Sequence, residues 1–410
     1  MLTRELDLNQ PDFIFNPYPL LTELRETTPI FYEPRWKKLF FTRYEDIAFL
    51  LRDKRLGRSI FHILSRDELG WPPPNPLLAA FDAFQNQMMM DREPPDHTRL
   101  RSLVSKAFTP QRVENLRGKI EAIVNQLIDV VEPKGEMDLL QAFAEPLPVT
   151  VIAELLGVPE SDRHKLRPWS ADIVKLYEVT HSEAQARQAV KAVNDFSSFL
   201  RSLADERRRH PQEDLITALV QVEEQGDKLT EDELIANCIL LLNAGHEASV
   251  NGTTSGLLAL FRHPDQLALL QQAAAAGNSA IFKTAIEEFL RYDTPLPLFE
   301  RWVLHDFEYK GIQFKRGTEV ALLYAAGDRD ERRFFNADQL DVTRTDNAHL
   351  TFGLGIHYCL GAPLARLEMQ VAFATLLRRL PTLRLAIPAS QVEYNAGFVI
   401  RGLKALPVAW

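Results

Sequence analysis

Cysteine is nearly absent from this chain of 410 residues: Cys238 and Cys359 are the only two. Far apart in sequence, they offer neither a disulfide framework nor a CxxC pair for zinc, so each must be judged alone. The first twenty residues lack the basic start and apolar run of a signal peptide or anchor, so a cytoplasmic protein without a membrane segment is expected. Positive charge is short as well. A net charge of −9 argues against a nucleic-acid backbone as the main partner. Internal repeats, low-complexity tracts and Gly/Ser linkers are all missing. So is a GxGxxG turn after a strand, which removes any flavin or dinucleotide site of its own. With 46% hydrophobic residues the chain can bury a large core, and residues 1–410 read as a single domain.

What is present is mostly helical periodicity. Leu116, Ile120, Ile123, Leu127 and Val131 form one apolar stripe, closed by Pro133 and Gly135. Strand-like runs are short: PIFYE and KKLFFT near the N-terminus, FEYKGIQF and TEVALLY after residue 306, and FVIRG near the C-terminus. The expected class is therefore mainly α with small β-sheets. Thr230 and Glu233 make a capping box for a helix that runs to about Phe261, before His263-Pro264 stops it. Its middle, NAGHEASVNG, is polar although apolar residues flank it on both sides. Asn243, Glu247 and Asn251 fall four apart on one face, and Gly245 and Gly252 each weaken the helix by about 1 kcal/mol relative to alanine. A core-crossing helix with a polar break marks a site.

Cys238, in the run IANCILLLNAG, reads as a small buried hydrophobe. Cys359 sits in HLTFGLGIHYCLGAPLARLE, where glycines at 353, 355 and 361 bracket it and a helical pattern follows. A glycine-rich turn feeding a helix N-terminus supplies backbone N–H groups that stabilise a thiolate. The segment Phe352, Gly353, Gly355, His357, Cys359, Leu360, Gly361, Leu364, Ala365, Arg366 resembles the haem-binding loop of bacterial cytochromes P450. The likeness extends along nearly the whole chain, through PPDHTRLR, the AGHEAS helix, EEFLRYDTP, GDRDERRF and RGLKALPV, in the family's order.

The resemblance implies a single-domain P450 fold with haem b between the long central helix and the helix after the cysteine loop. It implies Cys359 as the iron ligand, His97, Arg101, Arg301 and His357 as propionate contacts, and Phe352, Gly361 and Ala244 beside the cofactor. Buried carboxylates need such cationic partners. Glu288 and Arg291 form an ExxR pair, a structural lock by resemblance. A thiolate opposite bound dioxygen favours O–O cleavage. The implied reaction is thus insertion of one oxygen atom from O2 into a small apolar substrate. Electrons come from a separate ferredoxin or flavodoxin with its reductase, docked near Arg99, Lys106 and Arg112. Phe84, Met88 to Met90, Leu240, Asn243, Leu298, Phe299 and Phe398 to Val399 are expected around the substrate.

The pattern breaks at the proton relay. The family's usual acid-threonine pair is here Glu247 followed by Ala248 and then Ser249, so the alcohol is missing from its place. Ser249 lies about 100° round the helix from position 248 and could substitute only if the helix unwinds; ordered water or a substrate hydroxyl are the alternatives. A second departure is Gln339, where many relatives have arginine. Rival readings are a peroxide-driven haem-thiolate hydroxylase and a haem sensor without turnover.

Overall fold

The apolar stripe ending at Val131 becomes a helix because its period puts one face on the core. In the computed structural model, which describes residues 2–177, 181–224 and 226–410, the helix Arg117–Val131 buries Ile120, Ile123, Val124, Ile128 and Val131. Gly135, at φ 74°, closes the turn that follows, a backbone conformation glycine adopts without strain. The capping box forms as expected. Thr230 N–H donates to Glu233 Oε2 at 2.8 Å, and Glu233 N–H donates to Thr230 Oγ1 at 3.2 Å. The helix they start, Glu231–Arg262, has 32 residues and at about 1.5 Å per residue spans about 48 Å. Pro264 then opens the next helix, Pro264–Ala275.

By their contacts the described residues form two compact units, each discontinuous in sequence. One comprises residues up to Gly57, Arg117–Leu147 and Glu247–Trp410; the other comprises Arg58–Leu116 and Pro148–His246. The first unit holds a five-stranded sheet in the order Ile30–Glu33, Lys38–Phe41, Glu319–Leu322, Phe299–Val303, Leu56–Gly57. Its pairs are antiparallel except Lys38–Phe41 with Glu319–Leu322, which run parallel. Phe31 faces Phe40 in register, their rings stacked at 5.4 Å. Leu298, Phe398, Phe13 and Leu24 join them in one core cluster. The same unit contains the hairpin Phe307–Tyr309/Ile312–Phe314 and the helix Ala362–Arg379. The second unit is mainly helical, led by the helix Glu183–Arg209, whose start is a capping box of Ser182 and Gln185.

One expected strand is absent. FVIRG, Phe398–Gly402, carries only the isolated bridge Tyr394 to Leu403 beside it. Side chains fasten the segment instead of a ladder. Phe398 stands 4.7 Å from Phe13, and the buried Arg401 guanidinium donates to Ile14 O at 2.7 Å, Phe15 O at 3.1 Å and Asp293 at 2.5 Å. Among the described residues no helix is long and apolar enough to cross a membrane.

Candidate active site

Cys238 is fully buried, and burial pushes its thiol up to about 12, so it stays protonated. Cys359 is exposed. A loop held without a ladder presents it: Cys359 N–H donates to Phe352 O at 2.9 Å, and Tyr358 N–H donates to Gly355 O at 3.2 Å. Gly353 and Gly355 have φ of 65° and 76°. At Gly355 a Cβ would lie 2.4 Å from Leu51 O, so the loop closes only with glycine there. A Cβ on Gly361 would meet nothing nearer than the cysteine Sγ at 3.9 Å, which leaves room beside the sulfur for a flat group. Gly361 then caps the helix Ala362–Arg379, whose free N–H groups favour negative charge nearby.

Behind this loop, in the same unit, the ExxR pair is fully buried. Arg291 donates from Nε and Nη2 to both Glu288 oxygens at 2.8 Å, and from Nη1 to Asp328 O at 2.8 Å and Ala337 O at 2.7 Å. Gln339 supplies only its carbonyl, at 3.2 Å. The second cation comes from Arg344, whose Nε donates to Glu288 at 3.0 Å. The departure at Gln339 therefore leaves the lock complete. Arg301, on the strand Phe299–Val303, is 4% exposed and lies over the Phe299 ring at 5.6 Å. Phe299 in turn stacks on Tyr324, a neighbour that no spacing announced. Leu298 and Phe398 are each 1% exposed within the core cluster.

In the second unit, His97 is buried in the first turn of the helix Asp96–Ala107, with Arg101 one turn on, as their spacing requires. Asn237 pins the methionine segment to the long helix: its Oδ1 accepts from Met89 N–H at 3.0 Å, and its Nδ2 donates to Gln87 O at 3.3 Å. Met88, Phe84, Leu240 and Asn243 are all buried. Tyr177, which the sequence did not single out, lies near Asn243; burial and Asp91 push its phenol up to about 12, against the pull of the Asn243 amide. Gly245 has a packing role, since a Cβ there would meet Ile152 Cδ1 at 2.5 Å.

Two observations bear on the expected docking charges and on the proton relay. Arg99 and Arg112 are engaged inside their unit: Arg99 pairs with Glu233, and Arg112 donates to Asp214 O at 2.8 Å. The long helix is also α-helical throughout 231–262, so the unwinding that Ser249 would need does not occur. Ala244 is exposed and Gly245 and Ala248 are half-buried on a helix that is otherwise mostly buried, a strip of small side chains that fits a flat group.

Comparison with known proteins settles the family. The cytochrome P450 family model matches residues 168–384. This chain belongs to the cytochrome P450 family. It is 38% identical over 409 residues to the polyketide biosynthesis cytochrome P450 PksS of Bacillus subtilis (strain 168), covering 97% of this chain and 96% of the relative. It is likewise 38% identical to the mycinamicin IV hydroxylase/epoxidase of Micromonospora griseorubida, over 95% of this chain and 94% of that one. The structure of P450BioI in complex with acyl carrier protein ligated to hexadec-9Z-enoic acid matches with a TM-score of 0.85 and 38% identity, covering 97% and 99% of the two chains. The P450 is thus a monooxygenase that uses haem with a cysteine thiolate ligand, an apolar substrate and a redox partner. Its relatives are hydroxylases and epoxidases, so neither the sensor nor the peroxide-driven reading is favoured.

Proposed function

We propose that Cys359 would ligate the haem iron and that residues 1–410 work as one P450 domain. His97, Arg101, Arg301 and His357 would hold the propionates, and Phe352, Gly361 and Ala244 would contact the ring. The observation that carries this reading is the exposed Cys359 on a glycine-closed turn, beside a Gly361 with space for a flat group. When bound, the haem supplies activation of dioxygen; a thiolate ligand favours O–O cleavage.

The chain's own residues position the substrate and manage protons. Leu240, Phe84 and Met88 give an apolar surface in one unit, with the Asn243 amide as a polar point beside it. In the other unit Leu298, Phe299 and Phe398 offer further apolar contacts to the substrate. Glu247 brings a carboxylate to the helix, while Ala248 offers no hydroxyl and Ser249 stays on the neighbouring face, so ordered water or a substrate hydroxyl carries the proton across the gap. Electrons come from a separate ferredoxin or flavodoxin in the cytoplasm, with Lys106, exposed in the last turn of its helix, as a docking charge.

The relatives named above include a polyketide biosynthesis P450, a mycinamicin IV hydroxylase/epoxidase and a P450 bound to an acyl carrier protein with a long-chain acid, so the substrate panel begins with long-chain acids and polyketides. Optical titration of the purified haem protein is the test: a substrate that enters the site is expected to shift the spectrum from low to high spin. Absence of a shift across the whole panel refutes the apolar-pocket reading. Retention of the red-shifted Soret band of the ferrous carbonyl complex in Cys359→Ala refutes the ligand assignment.

A further inference from the structure

Two side chains far apart in sequence meet behind the cysteine loop. Arg366, on the helix after Cys359, donates from Nε to Glu287 Oε1 at 2.6 Å and from Nη2 to Glu287 Oε2 at 2.8 Å. Its remaining nitrogen, Nη1, donates to the Tyr358 hydroxyl at 3.1 Å. The guanidinium carbon lies 4.5 Å from the centre of the Phe352 ring. His349 completes the group, with Nε2 at 3.2 Å from Glu287 Oε2 and its ring 5.6 Å from that of Phe352. The pair is partly buried, at 28% and 23% side-chain exposure, and bidentate. Such a fork fixes orientation as well as distance.

Tyr358 immediately precedes the cysteine, and Phe352 supplies the carbonyl that accepts the Cys359 N–H. One guanidinium therefore holds both residues that frame the sulfur. We propose that Glu287 and Arg366 are a positioning pair for the thiolate loop, fixing the orientation of Cys359 through Tyr358 and Phe352 and setting the reduction potential of the haem it ligates. The role differs from that of the ExxR lock, which uses the adjacent Glu288 and anchors the 328–344 segment. It rests on Cys359 as the ligand.

Charge gives the proposal a signature that packing alone lacks. Removing the cation leaves the Glu287 carboxylate uncompensated near the iron site, which disfavours an added electron; removing the carboxylate leaves the cation, which favours one. The experiment is an equilibrium redox titration of the haem-loaded protein without substrate, with ferrous carbonyl spectra of the same samples. Arg366→Gln is expected to lower the ferrous-to-ferric ratio at the wild-type midpoint at least threefold, about 28 mV by the one-electron relation. Glu287→Gln is expected to raise it by a similar factor, and the double variant to return towards wild type. Shifts of the same sign in both single variants, or shifts under twofold, overturn the proposal. Should the glutamine variants fail to load haem, Arg366→Lys decides. With the charge kept and the fork lost, the ratio is expected to stay within twofold while the red-shifted carbonyl band loses intensity to the thiol form; a ratio moved more than threefold overturns the proposal. The wild-type carbonyl spectrum reports separately on Cys359: without a red-shifted band the ligand reading fails, whatever the variants do.

Discussion

Replacing Glu368 by glutamine should make this P450 more stable at alkaline pH and leave it nearly unchanged near pH 5. Glu368 lies on the helix Ala362–Arg379 among Leu364, Leu367, Val371 and Ala372, is 2% exposed, and has no hydrogen-bond partner for Oε1 among the described residues. Burial alone pushes its carboxyl from 4.5 up to about 8. The folded protein therefore keeps a proton that the unfolded chain releases, and between pH 4.5 and 8 stability falls as pH rises. At about 1.36 kcal/mol per pH unit the loss reaches roughly 5 kcal/mol by pH 8. A chain of this length unfolding in one transition has an entropy of about 0.9 kcal/mol/K, so the variant's midpoint should exceed wild type by about 6 °C at pH 8.5. Asp328, raised by burial to about 7, titrates in an overlapping window but is common to both proteins and cancels in the difference. Glu287, held down to about 2 by His349 and Arg366 against the opposing effect of burial, acts only in acid, where its stabilising contribution fades as pH drops from 4.5. Thermal melts of wild type and Glu368→Gln from pH 5 to 8.5 measure the effect. A difference that does not change with pH would show that Glu368 is ionised in the folded state and refute the reasoning.

Ala248→Thr restores a hydroxyl on the face where the strip of small side chains lies, and should raise the product formed per reduced nicotinamide consumed with substrates that lack a hydroxyl; unchanged coupling would mean that water already fills the relay. Gly355→Ala places a methyl 2.4 Å from Leu51 O at a φ of 76°, and should cut haem retention on gel filtration severalfold, whereas Gly361→Ala, with its nearest contact at 3.9 Å, should retain the loop's fold. Arg291→Lys loses the fork to Glu288 and the carbonyl bonds to Asp328 and Ala337, and should destabilise the protein by about 3–5 kcal/mol in urea titration.

Much of the fold was legible because it follows from period and caps. The stripe to Val131, the long helix from its Thr230 box to the His263-Pro264 stop, and the runs around Phe31, Phe40 and Val320 all form as local pattern dictates. FVIRG failed for a reason no local pattern carries: Phe398 and Arg401 are claimed by Phe13, Ile14 and Asp293, hundreds of residues away in sequence for the first two. The strand Phe299–Val303 was read only as a source of site residues, although it lies inside the five-stranded sheet. The partners of Arg99 and Arg112 were out of reach, because a free surface charge and a charge bound to a distant backbone carbonyl look alike in sequence. Glu287 with Arg366 stayed hidden for the same reason, since spacing says nothing about partners brought together by tertiary packing.

The cysteine loop was readable as a whole, yet the sequence could not say why each glycine is there, and the structure separates their causes. Gly355 is required by Leu51 O and Gly353 by its positive φ, both demands of the chain itself. Gly361 meets neither demand, so its small size answers to something the chain does not supply. The same logic applies to the long helix. Gly245 is forced by Ile152, whereas Ala244 is exposed and Ala248 half-buried. With the helix intact, nothing moves Ser249 into the strip of small side chains. The missing alcohol is thus a property of the folded helix, and on the proposed reading the proton it would have carried travels by water or by a substrate hydroxyl.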